Sequence, residues 1–114
     1  MMHVKDFPLY HYRCRWVGSI DGDTFWGMVD VGLGVSVMIR IRIVGLNKSE
    51  RERGTPEERA EGESATIALD SLLRDRPIYL KTLKDRYSYE RRLALVYIDD
   101  LQTGGLTNVA DLLR

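Results

Sequence analysis

Apolar and polar positions alternate from the tenth residue onward. Tyr10, Tyr12, Cys14 and Trp16 share one side and His11, Arg13 and Arg15 the other, which predicts a half-buried strand running to about Ile20. After the Asp21-Gly22-Asp23 turn, the aromatic and β-branched residues of Thr24 to Val31 suit a second strand. Gly32-Leu33-Gly34 has the composition of a short hairpin loop. The third strand has the clearest pattern: Val35, Val37, Ile39, Ile41 and Ile43 form a core face, and Ser36, Met38, Arg40 and Arg42 a face that can present guanidinium groups. Trp16 and Trp26 lie in strands and are expected in the core. Cys14 is expected to be a small buried hydrophobe rather than a nucleophile.

Lys48 to Gly54 is charged and without apolar period, the mark of an exposed loop. Thr55-Pro56-Glu57-Glu58 then fits a helix start, with Thr55 as N-cap, Pro56 at the first helical position and Glu58 closing a capping box. Ala65, Ala68, Leu69 and Leu72 make the apolar stripe of that helix, which should end near Arg74 before Pro77. Ile78 to Lys84 and Leu93 to Asp99 read as two strands joined by a long polar hairpin. Gly104-Gly105 is a turn, and Asn108 with Asp111 could cap a short terminal helix. The order is that of an α+β protein: a five-stranded Greek-key β-barrel of the oligonucleotide-binding (OB-fold) type, with one main helix between strands 3 and 4 and a short C-terminal helix. A small α+β sandwich has the same element order.

At 114 residues the chain is expected to be a single domain, 1–114. Its formal net charge of zero argues against a protein that coats nucleic acid by charge alone, so any such contact must be local. Its positive charge is mostly arginine, which suits bidentate phosphate or carboxylate recognition. A lone cysteine excludes an intramolecular disulfide. Neither a signal-like N-terminus nor an apolar run long enough for a membrane span is present, so a cytoplasmic protein without a membrane partner is expected.

Taken singly, the chemical candidates are ordinary. Asp21-Gly22-Asp23 belongs in any tight turn, and it is not an EF-hand, since Phe25, Trp26 and Gly32 stand where ligands and the turn glycine would be. Glu50 is a loop acid, and Arg42 and Arg91 resemble surface-pair partners. Their joint order and spacing are more telling. Asp21 to Thr24, Arg42 standing eight positions before Glu50, and Arg91-Arg92-Leu93-Ala94 after Asp85-Arg86-Tyr87 resemble the motifs of the staphylococcal, or micrococcal, nuclease family. The resemblance covers nearly the whole chain and agrees with that family's five-stranded barrel. It implies a calcium-dependent phosphodiesterase that hydrolyses single-stranded DNA or RNA. Asp23 would be a metal ligand, together with Asn47 and the Lys48 carbonyl. Glu50 would position or deprotonate the attacking water, and Arg42 and Arg91 would clamp the phosphate. Arg86 and Tyr87 match positions that contact the nucleotide's terminal phosphate, while Asp21 and Thr24 would brace the site. The chemistry wants these types independently, because a phosphodiester's transition state gathers charge that a cation and guanidiniums stabilise.

The chain departs from the family at several positions. Asn47 stands where the family has a second metal carboxylate, which should weaken the site for a divalent ion. Lys48 adds a cation beside it, and Ser49 replaces a proline, loosening the loop that places Glu50. The hairpin before Arg91 is longer than the family's, so Arg92 is an alternative clamp. The family's substrate-stacking tyrosines and third helix would lie beyond the chain's end. These departures motivate the alternative of a nuclease-like barrel that has lost catalysis and serves as a nucleic-acid-binding or protein-interaction module. A monomer is expected in the first case, and a protein partner enters in the second.

Overall fold

The computed structural model describes residues 2–46, 54–88 and 91–114, the side chains of Lys5, Arg91 and residues 84–88 excepted. After a 3-10 turn at Val4–Asp6, the chain forms β1 (His11–Asp21), β2 (Thr24–Gly32) and β3 (Val35–Ile43). Helix α1 (Pro56–Leu73) follows, then β4 (Ile78–Ser88), β5 (Arg91–Asp99), a three-residue β6 (Leu106–Asn108) and α2 (Val109–Leu113).

Five strands close on themselves. β1 pairs antiparallel with β2 and β4, β2 with β3, and β4 with β5. A parallel pairing of β3 with β5, Ile41 to Arg92 through Ile43 to Ala94, completes the circle. The barrel order is therefore β1-β2-β3-β5-β4, and closure excludes the two-layer sandwich. β6, absent from the sequence expectation because three residues carry no readable period, adds to β5 through Tyr97–Asn108, Ile98–Thr107 and Asp99–Leu106.

The core is filled from β1 to β5 and both α-helices. Phe25, Ile41, Ile43, Leu69, Leu73, Ile78, Val96 and Val109 are all fully buried. Cys14 is buried as expected, and burial pushes its thiol up to about 12. Gly27 is needed at the centre of β2: a Cβ there would lie 2.5 Å from Cys14 Sγ and 2.8 Å from Ile41 Cδ1. The hairpin between β2 and β3 turns on Leu33 and Gly34, both at positive φ (56° and 73°). That is the mirror-image turn whose twist matches a two-residue hairpin.

Three packing expectations are corrected. Val35 and Val37 are exposed, because the first half of β3 and the end of β2 extend past the barrel where none of the other described elements covers them. Trp26 lies at the surface with the Arg40 guanidinium 5.2 Å from its ring centre, whereas Trp16 packs on the core as expected. On α1 the buried positions are Gly62, Thr66, Leu69 and Leu73, while Ala68 is exposed and Ala65 and Leu72 are half-buried. Small residues at 62 and 66 suit close approach to β1, and the Thr66 hydroxyl is satisfied within the helix by donating to the Gly62 carbonyl at 2.7 Å. The helix start is as expected, with Thr55 Oγ1 accepting from the Glu58 N–H. At the C-terminal end, Asn108 Oδ1 accepts from the Ala110 N–H, while Asp111 pairs with Arg114 instead of capping. No helix among the described residues is long and apolar enough to cross a membrane.

Candidate functional site

The Asp21-Gly22-Asp23-Thr24 segment spans the two-residue Gly22-Asp23 connection between β1 and β2, with Asp21 and Thr24 paired across it. A turn at the chain's exterior would normally leave its acids in water. Here the β2–β3 ladder carries it inward: the Ile43 N–H donates to the Asp23 carbonyl at 2.8 Å, and Thr24 stands opposite Arg42. Asp23 and Thr24 are consequently buried, at 6% and 2% exposure.

The Asp23 carboxylate is held on both oxygens. Thr24 Oγ1 donates to Oδ1 at 2.9 Å, and Arg42 Nε lies 3.8 Å from Oδ2. The Arg42 side chain remains about one-third exposed, so its guanidinium can neutralise Asp23 and still meet a ligand from solvent. On its other side, Arg42 pairs with Leu93 in the parallel β3–β5 ladder, next to the Ile41–Arg92 pair. The start of β5, where Arg91 and Arg92 stand, is thus brought to the same end of the barrel as the β1–β2 turn.

Of the residues singled out from sequence, the structure brings together Asp21, Asp23, Thr24 and Arg42. Asn47, Lys48, Ser49 and Glu50 lie outside the described residues. They follow Leu46, which is buried beside the end of β3. Arg86, Tyr87 and Arg91 are placed by backbone only, Tyr87 opposite Arg92 and Ser88 opposite Arg91 in the β4–β5 hairpin. A calcium ion takes roughly six to eight oxygen ligands. The described residues supply one buried carboxylate at this turn and contain no group of three metal-binding side chains. By themselves they do not make a calcium site.

Two arrangements escaped the sequence reading. Arg40, two positions before Arg42 on β3, stacks on Trp26, and their pairing follows from folding the hairpin about Leu33-Gly34. An open groove of about 790 Å³ lies between β1 and the α1–β4 connection, lined in part by Arg13, Arg15, Trp16, Met28, Asp30 and Arg76. Alternation marked Arg13 and Arg15 as outward-facing, but no local pattern links them to Arg76. No family model and no curated protein matches the chain.

Proposed function

We propose that the chain is a nuclease-like barrel that binds the phosphodiester backbone of single-stranded DNA or RNA and hydrolyses it. Its strand order and inserted helix support assignment to the Greek-key, oligonucleotide-binding type. The observation that carries the reading is convergence. The Asp23 turn, Arg42 at the end of β3, and the arginine-bearing start of β5 are far apart in sequence, yet they share one end of the barrel.

In this reading Arg42 and Arg91 hold the non-bridging phosphate oxygens, and Glu50 takes the proton of the attacking water. Asp23, oriented by Thr24, keeps the Arg42 guanidinium in place. A divalent cation taken up by Asp23, Asn47 and the Lys48 carbonyl would add charge against the same oxygens. Cleavage of a single-stranded oligonucleotide should appear with calcium, magnesium or manganese and be abolished by Glu50→Gln. Absence of cleavage with all three ions sinks the hydrolytic half of the reading.

A second reading rests on a different observation. Both Asp23 oxygens already have partners, and Arg42 supplies positive charge next to the carboxylate that a metal would use. The barrel is then a phosphodiester-binding module without hydrolysis. Oligonucleotide binding that survives Glu50→Gln and ignores chelators favours it, and metal-dependent cleavage gained by Asn47→Asp would show a repairable site.

A further inference from the structure

The outside of the barrel carries a second set of aromatic and basic side chains, away from the Asp23 turn. Cys14, Leu80 and Val96 are buried in the core, so their odd-numbered neighbours on β1, β4 and β5 turn outward. Strand register aligns them. Arg13 stands opposite Tyr79 and Tyr79 opposite Tyr97, while His11 stands opposite Lys81 in the next row. An open groove of about 490 Å³ runs over this face, lined in part by these five residues and by Leu106 of β6.

The two tyrosines are half-buried, yet neither belongs to the core or to the residues packed against it. The core does not account for them. The Arg13 guanidinium carbon lies 5.9 Å from the Tyr79 ring centre, at the outer limit of a cation–π contact. His11 Nδ1 donates to the Leu9 carbonyl at 2.8 Å, which anchors its ring at the groove. Among the described residues, no carboxylate forms an ion pair with Arg13 or Lys81. The acids of this face stand at its margins. Asp30, opposite Arg13 on β2, accepts from the Gly32 N–H at 2.8 Å, and Asp99 pairs with Leu106 at the far edge.

We propose that this face is a stacking platform for single-stranded nucleic acid: bases lie on Tyr79 and Tyr97, and Arg13 and Lys81 hold the flanking phosphates. It rests on the reading of the chain as a phosphodiester binder and extends it to a stretch of strand outside the reacting bond. Arg13 precedes Asp21 on β1 by eight residues, so the platform lies at most about 26 Å along the strand from that turn. On the other side of Arg13, the larger groove continues the positive surface through Arg15 and Arg76. Cations alone would serve an acidic peptide equally well. Two neighbouring rings open to a groove favour a ligand that carries both phosphates and flat bases.

Fluorescence anisotropy with a single strand of about 15 nucleotides, in chelator to prevent cleavage, tests the platform. Tyr79→Leu and Tyr97→Leu should each weaken binding about tenfold, the loss of one base stack, whereas Tyr79→Phe and Tyr97→Phe should bind as wild type does. A strand of the same length with abasic sites should bind wild type more weakly by a similar factor. Weakening by Arg42→Ala but by neither leucine variant overturns the platform and leaves the phosphodiester reading standing. Weakening by the leucine variants with Arg42→Ala unchanged upholds the platform and removes Arg42 from the strand's path. Equal affinity for intact and abasic strands overturns stacking and assigns the face to polyanions, acidic peptides included. If the leucine variants fail to fold, irradiation of wild type with an iodouracil-containing strand decides. Adducts at Tyr79 or Tyr97 uphold the proposal, and adducts confined to other residues overturn it.

Discussion

Arg42 Nε approaches Asp23 Oδ2 to 3.8 Å, although Asp23 lies in the β1–β2 turn and Arg42 near the end of β3, and the two meet because β2 and β3 are zipped in register. The pair sets what each partner can do. Asp23 is too buried to stand alone as a charge, and Arg42 is open enough to serve a second anion.

Replacing Arg42 by Ala should therefore weaken binding of a single-stranded oligonucleotide and also destabilise the fold, because it leaves the buried Asp23 carboxylate without its cation. The stability loss should exceed the roughly 1 kcal/mol of a fully exposed ion pair. The loss of one phosphate contact should also lower the slope of log affinity against log salt by about 0.7. Fluorescence anisotropy across a salt series, with denaturant unfolding in parallel, checks both numbers. An unchanged slope would place Arg42 outside the phosphate path.

Gly27→Ala should destabilise the protein by about 1–3 kcal/mol, the usual result of forcing a methyl group into a filled core. The new Cβ would meet Cys14 Sγ and Ile41 Cδ1 at once. Gly27→Ala combined with Cys14→Ala should recover part of the loss, because the closer obstruction is then removed. Urea midpoints of the three variants decide it, and additive losses would show that the sulfur is not the obstacle.

Much of this architecture was legible because the relevant signals are local. The alternation from Tyr10 to Trp16 and from Val35 to Ile43 gave the strands, and Thr55-Pro56 gave the helix start. Which face of β3 is buried was only half legible. Alternation states that Val35, Val37 and Ile41 share a side, but where the barrel ends along that side is set by β5, which reaches only as far as Ile41. Trp26 was misplaced for a related reason: its surface partner, Arg40, comes from the facing strand. At the site, the meeting of Asp23 with Arg42 was implied by hairpin register, whereas the burial of the turn depends on its bond to Ile43.

The Cys14 thiol makes stability fall at alkaline pH. Its pKa is raised by burial from 9.0 to about 12, so between these values the unfolded chain loses a proton that the native chain keeps. A raised value stabilises fully below the unfolded pKa and is lost as pH rises through the folded one. Stability should decline by at most about 1.4 kcal/mol per pH unit across that window. Other groups titrate there too, so the quantity to measure is the difference between wild type and Cys14→Ala in urea unfolding at mildly and strongly alkaline pH. A difference that does not change with pH would mean that the thiol ionises as easily folded as unfolded. Native protein should also resist thiol-labelling reagents at neutral pH until it is unfolded.

Asp100 makes the opposite prediction at the acid end. Its carboxylate accepts from the Gln102 N–H at 2.9 Å and the Thr103 N–H at 3.3 Å, and these backbone bonds, led by Gln102, lower its pKa below the ordinary 3.8. Thr107, on β6, adds its hydroxyl to the other oxygen at 3.5 Å. A lowered value contributes stability above the unfolded pKa and loses it as pH falls through the folded one. Asp100→Asn keeps an oxygen acceptor for the turn but removes the charge, so wild type should hold its advantage over the variant at neutral pH and lose it in strong acid. Because β6 is a three-residue strand tied to β5 beside this turn, the loss should be local. Amide exchange at Gln102, Thr103 and Thr107 should accelerate in acid relative to Ile41 and Val96 in the core, after correction for the intrinsic pH dependence of exchange. Uniform acceleration throughout the barrel would show that Asp100 acts on global stability instead of on the turn it closes.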